Sequence, residues 1–550
     1  MHMTKATHIY HNGTILTMDS RCSAVECCAV AGDRILAVGS AGEMAPFKGE
    51  GTEYVDLKGK TMLPGFYDGH SHFMRAGNYY CDYLDINCAP IGTVRSMRDI
   101  ADAVRKKAAD TPKGEWILCQ GYDDTALAEG RHFTLEEVDA MCPDHPLFLR
   151  HISGHLGVVN SLALKMAGIT EQTPNPPGGV FVKRDGKLTG LLQEPAAINL
   201  VLEAAPEVTE DAWLKAAAFA SNVYTAKGVT SAHEGGCTTD MWDCYFKAHE
   251  KGLLKNRVQL LPRHGSFDFT RAPATPCPGM PLTDDGMLTL GAVKLFQDGS
   301  LQGYTGYLSN PYSTAPDGEP GSYTTWRGFP IHAREALVEL VKRYHRQGWQ
   351  VAIHGNGDAG IEDILVAYEE AQKEYPSALS RDVVIHCQTA REDQLDRIAR
   401  LGVVVSFFVV HTYYWGARHR DIFLGKERAA RINPLRSALE RHIPFSLHND
   451  TSITPIDPLL SVWSAANRLT SDGEELGPQQ CIPVVDALKS ITIWAAYQHH
   501  RERDTGSIEP GKLADFTVLE ENPLTVDKKL IKDIPVACTI VGNKAVYGAL

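Results

Sequence analysis

The residues best suited to chemistry begin with His70 and His72, which close the run Leu63-Pro64-Gly65-Phe66-Tyr67-Asp68-Gly69-His70-Ser71-His72. On a strand, side chains alternate faces, so an i, i+2 pair projects to one side and two neutral imidazoles could clamp one ion. Alone, the pair reads equally well as two partly exposed strand-end histidines. Four later residues answer it: Lys294, His354, His386 and Asp450 each lie in or just after a short apolar run. Imidazole nitrogen and carboxylate oxygen form a donor set for zinc or a neighbouring divalent transition ion. A cationic Lys294 would be repelled by such ions, and the conflict disappears if its amine has taken up CO2 as a carbamate, which is anionic and can bridge two ions. The plainer alternatives are a lysine bonded to a carboxylate such as Asp298, core histidines at 354 and 386, and an Asp450 that caps a turn.

What could bring residues 70 to 450 together is set by the elements around them. Seven apolar runs, at 228–233, 258–262, 290–296, 350–354, 383–386, 403–410 and 444–447, read as strands, and the run ending at His70 makes eight. Polar loops and amphipathic segments lie between them. In 333–344, apolar residues recur at i, i+3 and i+4 while Arg, Glu and Lys take the other face, the pattern of a helix covering a sheet. Alternating strand and helix predicts a parallel sheet, and eight strands predict a (β/α)8 barrel, whose strand C-termini share one face. On that face the six candidates converge.

The chain ends differ in character. Residues 8–60 alternate strand and turn signals, with Gly32-Asp33 placed as a hairpin turn, and 514–519 and 537–547 are strand-like again. Neither end is long enough to close its own core, so 1–60 and 500–550 are expected to form one β-sandwich. The barrel then occupies 61–74 and 226–499. Residues 75–225 are too many for a loop and carry their own periodic segments, which places an inserted α/β subdomain over the barrel mouth.

Composition removes several function classes. With 550 residues, 43% hydrophobic and 22% charged, the chain has the make-up of a soluble globular protein. A net charge of −13 without a Lys/Arg cluster argues against a nucleic-acid partner. The longest apolar run, 403–410, is far short of the roughly 20 residues that span a bilayer, so no membrane partner is expected. The N-terminus lacks a signal-peptide core and reads as cytoplasmic, and 13 scattered cysteines read as reduced thiols.

Five pieces carry a resemblance: Pro64 to His72, Val293-Lys294-Leu295-Phe296-Gln297-Asp298-Gly299-Ser300, Ala352-Ile353-His354-Gly355-Asn356-Gly357-Asp358, Val384-Ile385-His386-Cys387-Gln388, and Gly506 to Phe516. Together they resemble the amidohydrolase superfamily of metal-dependent hydrolases on a (β/α)8 barrel, and are most similar to the branch containing N-substituted formamide deformylase. The resemblance implies that His70 and His72 bind a more buried ion, His354 and His386 a more exposed one, and carboxylated Lys294 bridges both. Two zinc ions are implied, or a single ion without the carbamate. Asp450 would ligate the first ion and, as general base and then acid, move a proton from a metal-activated hydroxide to the leaving amine. A homodimer is also implied.

Two stretches depart from the family pattern. A Gly-Ser-Asp-like approach to the last strand is replaced by Leu447-His448-Asn449-Asp450, and a Ser-Arg-Thr-Ala-like run after Ser300 by Gly303-Tyr304-Thr305-Gly306. Both changes bear on the substrate. Candidates for its contacts are His155 (also a catalytic candidate), Tyr304 and His233, with His264, His411 and His151 open between substrate contact and support, and Tyr79, Tyr80, Tyr413, Tyr414 and Trp415 between pocket and packing. The expected function is hydrolysis of a linear amide, an N-substituted formamide or N-acyl amine. A cyclic-amide hydrolase or deaminase, and a non-catalytic regulatory protein on the same barrel, are the alternatives.

Overall fold

The computed structural model describes residues 4–314, 325–376 and 381–550. The apolar runs become short parallel strands rich in Val, Ile and Leu, as strands covered on both faces must be. They are Phe66–Tyr67 (β1), Val229–Cys237 (β2), Arg257–Pro262 (β3), a β4 in two pieces, Leu288–Leu290 and Val293–Phe296, then Val351–Gly355 (β5), Val383–His386 (β6), Val404–Phe407 (β7) and Phe445–Leu447 (β8). β1, β2, β3 and the first piece of β4 pair in that order, and the second piece of β4 continues through β5, β6 and β7 to β8.

The two sheets meet at both edges. At the break in β4, Gly291 N–H donates to Leu260 O at 2.8 Å and Val293 N–H to Gln350 O at 2.9 Å, so the strand changes neighbours without leaving either. At the other edge, Gly69 N–H donates to Leu447 O at 3.3 Å and Asp450 N–H to His70 O at 3.2 Å. Gly69 permits that approach, since a Cβ there would stand 2.2 Å from Ser446 Oγ. Amphipathic helices cover the outside. Arg334–Arg346 buries Leu337, Val341 and Tyr344 and turns its charges outward.

Where sequence and structure differ, buried turns are the cause. The run 403–410 leaves its strand at Phe407, and Phe408, Val409 and Val410 turn, still fully buried, into the helix His411–Arg418. Periodicity cannot tell a buried strand from a buried turn. Thr61–Pro64, assigned to the barrel from its sequence, instead pairs with Phe516–Leu519 and with Thr14–Leu16, so the changeover falls at Gly65.

The remaining sheets lie outside this ring. A six-stranded sheet has the order Lys544–Gly548, Val536–Val541, Phe516–Leu519, Thr61–Pro64, Thr14–Leu16, Ala24–Val25, and a four-stranded one the order Arg34–Gly39, Cys27–Ala31, His8–His11, Glu53–Asp56. Tyr10, Cys28 and Val30 of the smaller share one core with Ile15, Met62, Phe516 and Ile540 of the larger. Gly32-Asp33 makes the hairpin turn between Ala31 and Arg34. A third sheet, from Leu84–Asp85 to Lys187–Gln193, has its own core with the helices Met97–Ala109 and Leu135–Met141. No described helix is long and apolar enough to cross a membrane.

A buried ion pair ties the parallel ring to the terminal sheet: Arg257 of β3 donates from Nε to Asp515 Oδ2 at 2.7 Å and from Nη2 to Oδ1 at 3.2 Å. Asp515 Oδ1 also accepts Gly542 N–H at 2.7 Å. Replacing one partner strands the other's charge, so Asp515→Ala is expected to lower stability by about 3–5 kcal/mol. Thermal and urea denaturation check this, and wild-type stability in the variant would show that the pair does not hold the two parts together.

Candidate active site

All six sequence-selected residues line one cleft of about 280 Å³ at the C-terminal ends of the parallel strands. His70 and His72 follow β1, Lys294 lies within β4, His354 within β5, His386 ends β6, and Asp450 stands three residues past β8. Asp450 is the meeting point. Its Oδ1 lies 3.6 Å from His70 Nε2 and 3.4 Å from His72 Nε2, and its Oδ2 lies 3.9 Å from His386 Nε2. The His354 and His386 rings are 4.5 Å apart between centroids. His70, His72 and Asp450 are close enough together to hold a metal ion.

The aim of the histidines is not what strand alternation suggests. β1 ends at Tyr67, and His70 and His72 sit in the bend that leads to the helix Phe73–Asp82, where they bring their rings within 5.2 Å. Positive φ angles at His386 (71°), Cys387 (48°) and Asp450 (51°) turn the chain sharply where β6 and β8 give way to loops.

Each histidine also has a polar group behind it, and for His70 and His386 that group is at hydrogen-bond distance and fixes ring orientation. His70 Nδ1 meets His233 Nδ1 at 3.2 Å, and His72 Nδ1 lies 3.8 Å from Glu234 Oε1. His386 Nδ1 meets His448 Nε2 at 3.1 Å, and His448 Nδ1 meets Ser406 Oγ at 2.8 Å. His354 Nδ1 lies 3.3 Å from Asp298 Oδ1, and that carboxylate accepts the N–H groups of Asn356, Gly357 and Tyr307.

Burial governs the charges. It drives His70, His354 and His386 well below the usual histidine range, with Lys294, His155 and His354 respectively the next contributors. It likewise pushes the Lys294 amine down to about 7, against the pull of Asp450 and with help from Arg263. Burial also opposes protonation of His72, yet the Asp450 and Glu234 carboxylates prevail and raise it. Asp450, which burial alone would raise, falls to about 2 because His72, His448 and Lys294 surround it. Lys294 Nζ and Asp450 Oδ1 are buried without a hydrogen-bond partner.

The other candidates separate. His155 lines the cleft, with Nδ1 held by the buried Glu194 Oε2 at 2.7 Å. His233 does not line it. It stands behind His70 on a water-sized cavity shared with Gln259, Gln350 and Gln498, so its place is support and not substrate contact. Tyr304 also falls outside, its ring packed on Tyr312 and Phe423 in an apolar cluster. His264 bonds the Tyr344 hydroxyl, and His411 packs on Phe408. His151 pairs with Asp124 at 3.0 Å, in a group whose Asp123 accepts from Trp415 and Arg418 and so ties the third sheet to the helix His411–Arg418.

Tyr79 lines the cleft, while Tyr80, Tyr413, Tyr414 and Trp415 do not. Sequence reasoning passed over Arg75, Arg150 and Arg263 as site residues, although all three line it. Arg75 lies one helical turn after His72, and Arg263 directly after β3, so strand-end position was a usable signal for the second. Burial, with the Arg75 charge nearby, pushes the Arg263 guanidinium down to about 10.

Comparison with known proteins agrees with this geometry. Residues 53–547 match the amidohydrolase family. YtcJ of Bacillus subtilis (strain 168), named as an amidohydrolase, is 30% identical over 98% of this chain and 99% of its own. N-substituted formamide deformylase of Arthrobacter pascens is 28% identical over 98% and 97%. An uncharacterized metal-dependent hydrolase from Pyrococcus horikoshii OT3 superimposes with a TM-score of 0.72 at 25% identity, over 95% of this chain and 99% of that one.

The depressed amine makes a pH signature. Between pH 7 and 10.5 the unfolded chain holds a proton on Lys294 that the folded, metal-free chain has shed, so stability rises with pH across that window. Lys294→Met lacks this component. Melting temperatures of the two metal-free proteins are expected to diverge in favour of wild type as pH is raised from 7 to 10.5, and a constant difference would show that the amine is not held unprotonated.

Proposed function

The chain belongs to the amidohydrolase family, metal-dependent hydrolases of carbon–nitrogen bonds, and from that premise we propose that its substrate is a linear amide, an N-substituted formamide or an N-acyl amine. The observation that carries the reading is the cluster itself: a buried, unpartnered amine and a carboxylate oxygen among imidazoles that burial keeps unprotonated. Such a set offers lone pairs to an electron-pair acceptor, and divalent zinc suits its nitrogen and oxygen donors. We read the two parallel sheets as one (β/α)8 barrel, the two terminal sheets as one β-sandwich, and the stretch between the helix Phe73–Asp82 and the helix Glu210–Thr225 as the inserted subdomain over the mouth.

In this reading His70, His72 and Asp450 would hold one ion and His354 and His386 another, with Lys294 between these groups able to act as a carbamate once its neutral amine adds CO2 and releases a proton. Ions bound there supply an acidified water and a polarised carbonyl. Asp450, with its carboxyl held down to about 2, is anionic at neutral pH and starts as the base. It takes a proton at its carboxylate and returns it to the leaving nitrogen. His155, with Nδ1 committed to Glu194, keeps Nε2 for the substrate amide.

Metal analysis of the purified protein, with hydrolysis of formamides, N-acyl amines, lactams and esters before and after chelation, tests this function. Linear amides are expected to be cleaved, with activity lost on chelation and restored by zinc, and Asp450→Asn is expected to lower turnover by about 10²–10⁴-fold. Full activity in metal-free protein, or cleavage of lactams with linear amides untouched, would sink the proposal.

A further inference from the structure

The chain carries 67 acidic residues against 54 lysines and arginines, yet Arg75, Arg150 and Arg263 all line the cleft. None of the three forms an ion pair with a described carboxylate. Arg150 donates to the neutral Gln120 Oε1 and lies 4.5 Å over the Tyr79 ring. Arg263 stands 5.3 Å over Phe296. Arg75 lies 4.9 Å over Trp213 with Met241 Sδ at 3.2 Å from Nη2, and the Glu234 carboxylate, which accepts Met74 N–H and the Tyr245 hydroxyl at Oε2, supports its charge from beyond ion-pair distance. Three other arginines with little solvent contact are matched, Arg257 by Asp515, Arg397 by Glu362 and Arg418 by Asp123, while the fully buried Arg468 donates to the carbonyls of Leu476, Asn433 and Ile432.

Guanidinium groups resting on aromatic faces keep their N–H forks free, and a fork fits a carboxylate in two parallel bonds. Arg150 and Arg263 have no described carboxylate within ion-pair distance, and cations gathered in a cleft draw anions in from solution. Asp450 cannot serve, because it belongs to the histidine cluster. We propose that the amide substrate carries a carboxylate, received by Arg150 and Arg263 with Arg75 beside them, while the scissile bond lies at Asp450. The proposal rests on the amide-hydrolase reading for the bond that is cut, and on the arginines alone for the charge. A neutral formamide would leave the guanidinium groups of Arg150 and Arg263 unanswered.

Calorimetry of the zinc-loaded enzyme with two probes that cannot be hydrolysed, 4-phenylbutanoate and 4-phenylbutan-1-ol, tests the charge. The acid is expected to bind about 10–100-fold more tightly, the value of a charge-assisted hydrogen bond or two. Arg150→Gln and Arg263→Gln should each remove about tenfold of that preference, leave the alcohol's affinity within about twofold, and Arg150→Lys should restore part of it. Equal binding of the two probes by wild type, or a preference for the acid that survives both substitutions, as it would if the metal took the carboxylate, overturns the proposal. The wild-type comparison decides even where a variant misfolds. Turnover of N-acetylphenylalanine against N-acetylphenethylamine separates the two readings: faster hydrolysis of the first supports both, and an intact binding preference with neither amide cleaved overturns the amide substrate and leaves the carboxylate site standing.

Discussion

Burial of unprotonated nitrogen is the condition on which the site rests. His70, His354 and His386 are nearly inaccessible to solvent, and a charge on any of them would have to be carried without water. Packing therefore holds them neutral, and neutrality leaves a lone pair on each ring for an electron-pair acceptor. The parallel strands make this possible by satisfying their own backbone groups through lateral hydrogen bonds. Side chains at their ends can then be buried without stranding the main chain. Asp450 supplies the negative charge, and His72, the most exposed of the four histidines, answers it.

The ring of strands and the rear partners divide the labour of aiming these groups. β4 shows it well. Its first piece belongs with β3, its second with β5, and Lys294 sits just beyond the changeover, where it faces the cleft. The third sheet adds a different kind of wall: Phe148 and Arg150 lie on its strand Leu147–His151, and His155 on the turn that follows. Hence a chain can share its strand-end residues with its relatives and still act on another molecule.

Much of this was legible in the sequence. The parallel strands were legible because apolar runs between amphipathic segments have few alternatives, and their end residues inherit a common direction from parallel pairing alone. Legibility failed where side chains are placed by turns. The strand-alternation argument put the His70 and His72 rings on one side, and the structure brings them together by a bend past the strand instead. His233 and Tyr304 looked like substrate contacts because of what precedes them in sequence, but His233 lies within β2 with its ring behind His70, and the turn after Ser300 sends Tyr304 into an apolar cluster. Glu194 and His448 escaped notice as partners because nothing in linear spacing says which distant carboxylate or ring will stand behind a given histidine.

The left-handed backbone at His386, Cys387 and Asp450 has a consequence for how this protein can change. Non-glycine residues in that region cost about 1–3 kcal/mol each, and two of the three lie next to one another at the end of β6. Glycine would relieve the strain at either candidate ligand, but only by deleting the side chain for which the bend exists. Cys387 is the exception: its thiol is buried and takes no part in the cluster, so relaxation is open there and closed on either side. Variants selected for heat resistance should therefore accumulate their gains in the terminal sheets, the outer helices and at Cys387, and leave the bends at His386 and Asp450 as strained as they are now.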